Sequence, residues 1–402
     1  MPYSYRSNKG AFKGGRPAPH KRPAGRSNSR RPMGQYIDPR RFVAAATISE
    51  VEEYVPTNRF EDFALNPLLQ ANLVLKGYKQ PSPIQDQAIP SALEGRDVLG
   101  MAGTGTGKTA AFALPLLNRL IEDPTSAAII IAPTRELAQQ IEAECRTLGR
   151  GSGLMGALLI GGSPMRPQLM DLQASPRIVI GTPGRIKDHL ERGTLKLEKF
   201  NIVVLDEVDR MLDMGFVRDI RTILDLASSD RQSLFFSATM SKEVRDLIDQ
   251  FTSDPVAVKI QSAAASENVH QDVVHYNDHT HKFNQLSDLL SQENVSKAIV
   301  FDETQRGVER LYKALADQGF PVDSMHGGKN QSQRQRALKK FKSSEISILV
   351  ATDVAARGID VADITHVINY SIPQAFDDYV HRIGRAGRAG RTGYAFTFIP
   401  KD

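Results

Sequence analysis

Ala102-Gly103-Thr104-Gly105-Thr106-Gly107-Lys108-Thr109 is the stretch whose reading decides the fold. It follows an apolar run, Val98-Leu99-Gly100-Met101, and opens an alanine-rich helical pattern over 110–120. A strand, a glycine loop and a helix in that order form a phosphate cradle. Glycines let backbone N–H groups converge on an anion, and the helix N-terminus places a positive dipole end behind them. Lys108 would reach the β- and γ-phosphates of a nucleotide, and the Thr109 hydroxyl would sit on Mg²⁺. The bland alternative, a glycine-rich turn that only opens a helix, fits poorly with Gly-Lys-Thr placed after a strand.

Outward from this loop, apolar runs alternate with helical patterns. The first series is 98–99, 128–131, 158–160, 178–180, 202–205, 234–236 and 256–260. Unbroken apolar runs between helices mean parallel strands buried on both faces. A stretch at 262–271, containing Ser-Ala-Ala-Ala-Ser, reads as a linker. A second series follows at 273–276, 298–301, 322–325, 348–350, 366–368 and 395–398, with no second glycine loop. The expected class is therefore α/β, with two tandem domains of mainly parallel sheet: 58–261 with the cradle, and 272–402. Before them lie a basic tail, 1–41, and a linking segment, 42–57, that could dock on the first domain.

At 402 residues the chain exceeds one ordinary core, and 41% apolar with 24% charged residues suits a globular protein. No run approaches the ~18 apolar residues of a membrane span. The basic N-terminus lacks the apolar core of a secretory signal. The single cysteine, Cys145, excludes an internal disulfide and reads as a small buried side chain. A reducing cytoplasm fits. The net charge of +5 hides an asymmetry: residues 1–41 hold 11 Lys/Arg and one acid, so the remainder is net acidic. This tail, with Tyr3, Tyr5, Phe12 and Tyr36 among its arginines, is expected to be disordered and to hold a polyanion, its aromatics stacking on exposed bases.

A phosphate cradle needs a partner acid at the end of another strand. The run 203–205 feeds directly into Asp206-Glu207-Val208-Asp209, with Asp206 placed to hold the metal and Glu207 to act as general base for the attacking water. The second domain supplies cations in His381-Arg382-Ile383-Gly384-Arg385-Ala386-Gly387-Arg388, three arginines at spacing three. Facing the γ-phosphate, they would neutralise charge that develops in the transition state.

Together these residues resemble the DEAD-box family of ATP-dependent RNA helicases, in the variant with Asp-Glu-Val-Asp, over about residues 58–400. The resemblance implies two RecA-like domains of the P-loop NTPase type. Phe60 and the run 77–85 resemble the adenine-reading motif, which implies that Phe60 stacks on the base and Gln85 reads its edge. Ala102, Gly103, Thr104, Gly105, Thr106, Gly107, Lys108 and Thr109 would bind ATP, Asp360 its ribose, and Thr109 with Asp206 the Mg²⁺. Lys108, Asp206, Glu207, Arg385 and Arg388 would be catalytic, the two arginines as fingers. Asp209, Ser237, Thr239 and His381 would couple the domains, through hydroxyl bonds from the Ser237-Ala238-Thr239 motif to Asp209.

By the same resemblance Pro133, Thr134, Arg135, Gly162, Thr182 and Arg185 in the first domain, and Thr304, Arg334 and Thr352 in the second, would contact RNA. The implied activity is RNA-stimulated ATP hydrolysis coupled to local unwinding of short duplexes or remodelling of RNA–protein complexes. The partner is RNA, gripped by phosphates and 2′-hydroxyls without base reading; no motif names a protein partner. An ATP-gated RNA clamp with little unwinding is the alternative, and a DNA-directed translocase is disfavoured. Val208 replaces the family's alanine and calls for a slightly larger pocket. Ser371 stands where relatives carry an acid. The end at Asp402 leaves the second domain either truncated or minimal. His270, His275, His279 and His281 fit no zinc spacing and are expected at the surface.

Overall fold

Ile129 and Ile131 point to one face of their strand, Ala128 and Ile130 to the other, and all four are fully buried. That is the signature of a sheet covered on both sides, and it repeats along the chain. The structure, a computed structural model, describes residues 37–45, 54–103, 105–260, 268–356, 361, 363–387 and 392–401. Most of the basic tail, Thr104, Asp360 and Arg388 lie outside the described residues.

Among the described residues the first lobe has seven strands: β1 (Val98–Met101), β2 (Ala128–Ile131), β3 (Gly156–Leu159), β4 (Ile178–Gly181), β5 (Ile202–Leu205), β6 (Gln232–Ser237) and β7 (Val256–Lys259). They lie in the order β3-β4-β2-β5-β6-β1-β7, all pairs parallel. The second lobe has β8 (Val269–Tyr276), β9 (Ala298–Phe301), β10 (Val322–Met325), β11 (Ile348–Ala351), β12 (His366–Asn369) and β13 (Gly393–Pro400). Their order is β10-β11-β9-β12-β13-β8, again parallel throughout. Here Ile299, Leu349 and Val367 build the core on one face, and Ala298, Ile348 and Ile368 that on the other. The two parallel α/β sheets expected from the sequence are both present. Parallel strands send every strand-to-helix turn to one edge, so the residues with chemical potential collect there.

Two expectations are corrected. β8 begins at Val269, so the last residues of the expected linker 262–271 belong to the sheet; Val269 and Gln271 are buried on it. Residues 37–45, expected partly as disordered tail and partly as a segment docking on the first domain, are ordered against the second lobe instead. Phe42 is 1% exposed there, its ring 4.7 Å from that of Tyr379, and Ala44 bridges Gln271 of β8. Farther on, 54–58 does reach the first lobe: Asp86 accepts from Tyr54 Oη, from Thr57 N and from both nitrogens of Asn58, at 2.6–3.0 Å. Among the described residues no helix is long and apolar enough to cross a membrane.

Candidate active site and nucleic-acid groove

β1 turns through the glycine loop into the helix Lys108–Glu122. Gly107 caps that helix at φ 95°, and a Cβ there would lie 2.5 Å from Gln85 Nε2, so both conformation and space require glycine. Lys108 is buried, and its ammonium donates to Ala102 O at 3.0 Å; Thr106 Oγ1 donates to Gly103 O at 2.9 Å. Thr109 is half-buried in the first helical turn.

Gln85 and Phe60, the two residues expected to read adenine, are both engaged within the protein. Gln85 Nε2 donates to Gly107 O at 3.0 Å, its Oε1 accepts from Ser82 N at 3.0 Å, and Ser82 Oγ donates to Thr106 O at 2.7 Å. The amide therefore bonds the phosphate loop and its own helix cap, and a base edge must compete for both atoms. Phe60 is 5% exposed, packed edge-on against Phe63 and Tyr78, so little of its face is open to a base. An apolar ring beside an apolar core gains most by burying itself there.

At the end of β5, Asp206 and Glu207 are both buried. Burial raises the Asp206 carboxyl to about 6, against the pull of Lys108. A hidden carboxylate so short of positive charge has the hard oxygen chemistry that suits Mg²⁺. Glu207 departs in the other direction. Burial alone would raise its pKa, yet Arg210, Lys108, Arg385 and His381 together hold it below the ordinary carboxylate range. Arg210 Nη1 donates to Glu207 Oε2 at 3.1 Å. Arg385 and His381 come from the second lobe, and with Arg385 a positive charge from that lobe joins Arg210 and Lys108 of the first around one carboxylate. His381 sits in the helix Phe376–Ile383, and burial, assisted by Arg210, depresses it to about 4. It is neutral at pH 7.

Asp209 Oδ2 accepts from Ala238 N, Thr239 N and Thr239 Oγ1 at 2.8–3.1 Å. Only one of the two expected hydroxyl bonds is made, because Ser237 Oγ donates to Thr239 O instead. Val208 is fully buried in the apolar cluster with Met211 and Ile220, where its methyls are accommodated. Ser371 contributes its carbonyl, which accepts from Arg382 Nη1 at 2.8 Å. Arg382, expected with the other two arginines of its run to face the γ-phosphate, instead pairs through Nε and Nη2 with both Asp353 oxygens, and sequence reading did not single out Arg210 or these partners. Their signal was charge next to known motifs, indistinguishable in the sequence from a solvated helix face.

A cavity of about 440 Å³ lies between the lobes, lined by Pro133, Thr134, Arg135, Thr182 and Arg185 from the first and by Gly327 and Arg334 from the second. Gly162 supports it at φ 72°: a Cβ there would lie 2.0 Å from Arg135 Nη1. Arg334 Nη2 forms an ion pair with Glu136 Oε2 at 2.8 Å, and Gln331 Nε2 donates to Glu136 Oε1 at 3.2 Å, both across the lobe boundary. Thr304 and Thr352 do not line the cavity. Thr304 caps the helix Gln305–Asp317, and Thr352 is buried after β11. The four histidines divide between β8 and the helix His279–Leu290. Burial drives the Cys145 thiol up to about 12, which leaves it unreactive.

Comparison with known proteins gives consistent results. Residues 82–247 match the family described as DEAD/DEAH box helicase, and residues 281–390 match the helicase conserved C-terminal domain. The chain is 44% identical over 343 residues to the ATP-dependent RNA helicase CshA of Limosilactobacillus reuteri, covering 85% of this chain and 69% of that one. S. cerevisiae Dbp5 bound to RNA and ADP BeF3 is similar with a TM-score of 0.76 at 30% identity, over 86% of this chain and 90% of that one. A variant of the same yeast protein bound to Nup159, a Gle1 variant, IP6 and ADP reaches 0.59 at 29% identity, over 84% and 89%.

Proposed function

We propose, from the premise that this chain belongs to the DEAD-box family of ATP-dependent RNA helicases, how its ATP hydrolysis is coupled to RNA. The observation that carries the reading is the convergence on Glu207 of Lys108 from one lobe and Arg385 from the other. ATP binds between the lobes. Lys108 leaves Ala102 O for the β- and γ-phosphates, and Arg385, with Arg388, meets the charge that develops on the γ-phosphoryl group. Glu207, kept ionised by its neighbours, takes the proton of the attacking water. Thr109 and Asp206 would hold Mg²⁺, whose contribution is charge neutralisation at the phosphates. Gln85 exchanges Gly107 O for the adenine edge, so that base recognition and opening of the phosphate loop occur together.

RNA lies in the interlobe cavity, with Arg135 and Arg185 against phosphates and Thr134 and Thr182 offering hydroxyls. Asp209, Thr239 and His381 couple the two sites, Asp209 holding Thr239 by two hydrogen bonds. The similarity to Dbp5 bound to RNA and ADP BeF3 supports a reading in which RNA and nucleotide engage the same two-lobed chain. Closure on one strand pries apart short duplexes locally; residues 1–36 add affinity that weakens with salt, by a slope of about −0.7 per phosphate neutralised. Arg385→Ala and Arg388→Ala, assayed at saturating RNA, should each lower ATP turnover by at least about 10³. Parent-like turnover would refute the two-lobed site. Strand displacement measured beside ATPase separates unwinding from an RNA clamp.

A further inference from the structure

We propose that residues 37–45 are a positioning element of the second lobe, seating the helix Phe376–Ile383 and thereby the arginine that follows it. The proposal rests on the reading of Arg385 given above. Asp38 Oδ1 accepts from Arg40 N at 3.0 Å and caps a single 3-10 turn, Pro39–Phe42, whose proline starts it rigidly. The turn aims two side chains at one face of the helix. Phe42 packs its ring 4.7 Å from Tyr379, and the Arg41 guanidinium lies 3.6 Å over the Phe376 ring. Phe376 and Tyr379 stand three residues apart, so both belong to that face.

Beyond the turn, Ala44 N donates to Gln271 O at 3.0 Å and Gln271 N donates to Ala44 O at 2.8 Å. This pairs the edge of β8, the last strand of its sheet, at one position, Gln271. Gln271 is the joint: its backbone holds Ala44, while its side-chain Oε1 accepts from Tyr379 Oη at 2.8 Å. On the other side Arg382 ties the same helix to Asp353 and Asn369. Gripped from both sides, the helix delivers His381 and, past Gly384, Arg385 to the groups around Glu207. Without 37–45, two aromatic rings and the edge of β8 at Gln271 lose their cover, and the helix keeps only its Arg382 bonds, the Tyr379–Gln271 bond and the burial of Ile383 to set its position.

The test uses the full chain, with ATPase measured at saturating RNA and well below the thermal midpoint. Phe42→Ala should lower kcat by about tenfold or more through misplacement of Arg385, with KM for ATP within twofold. Phe42→Tyr should restore most of it. In the Arg385→Ala background, Phe42→Ala should cost nothing further, a coupling that a merely structural role does not produce. Should Phe42→Ala fail to fold, Arg41→Gln and Ala44→Pro, each removing one contact, carry the same expectation. Parent-like kcat in these variants, whatever their thermal midpoints, overturns the proposal. If Arg385→Ala itself leaves kcat unchanged, the underlying two-lobed reading has failed instead.

Discussion

Glu207 stands at φ 54°, ψ 54°, in the left-handed region that a non-glycine side chain occupies only where its surroundings impose it. Its N–H donates to Asp206 Oδ1, and Arg210 holds its carboxylate, so backbone and side chain are fixed independently. The sequence revealed both acids, because an apolar strand running into carboxylates is a readable pattern. It did not reveal which bonds Gln85 and Ser237 make, since each has several acceptors within reach and tertiary packing chooses among them. Another residue-scale consequence concerns His366, fully buried in β12, stacked against Tyr394, with Nε2 unpartnered. Burial depresses its pKa to about 4 from the ordinary 6.5. Between those values the unfolded chain binds more protons, so stability is complete above pH 6.5 and falls as pH drops toward 4. The full effect is about 3 kcal/mol. His366→Phe should flatten that part of the stability profile, read from urea unfolding at pH 7 and pH 4.5.

Most strands were legible as elements because they are short apolar runs, and the central ones, such as β2, β5, β9 and β11, are buried on two faces; they order the motifs along two sheet edges. What a loop touches was not legible. The Gly162 turn illustrates this: its positive φ is a local property, but the Arg135 guanidinium that fills the space of a side chain comes from the first residue of the helix Arg135–Leu148. Gly162→Ala strains the backbone and pushes Arg135 out of the groove at once. RNA affinity should fall by about tenfold or more, the loss of one charge-assisted contact, measured by fluorescence anisotropy of a labelled single strand. ATP affinity without RNA should stay at the parent value.

Two lobes were expected from two series of strands; their pairing through Arg334, Gln331 and Glu136 was not, since those residues are separated by nearly two hundred positions. Arg334 was expected to meet RNA, and it also neutralises Glu136, which is 4% exposed. Breaking a buried pair from one side costs about 3–5 kcal/mol. Arg334→Gln should therefore raise the RNA concentration for half-maximal ATPase by at least about tenfold, and adding Glu136→Gln, which removes the stranded charge, should recover part of the loss. The placement of 37–45 escaped the sequence for a related reason. An Arg- and Pro-rich composition describes the segment's own poor core, while its order comes from Gln271, Phe376 and Tyr379, far along the chain. The path of the chain is consequently interlaced: 37–45 packs on the second lobe, the residues that follow build the first, and the chain then returns to build the second. A gene split within 261–267 would thus yield two polypeptides of which the first still carries Phe42 and Ala44, a hook for the second. Co-expressed, the halves should copurify without RNA or nucleotide, and the same split lacking residues 1–45 should come apart on a sizing column.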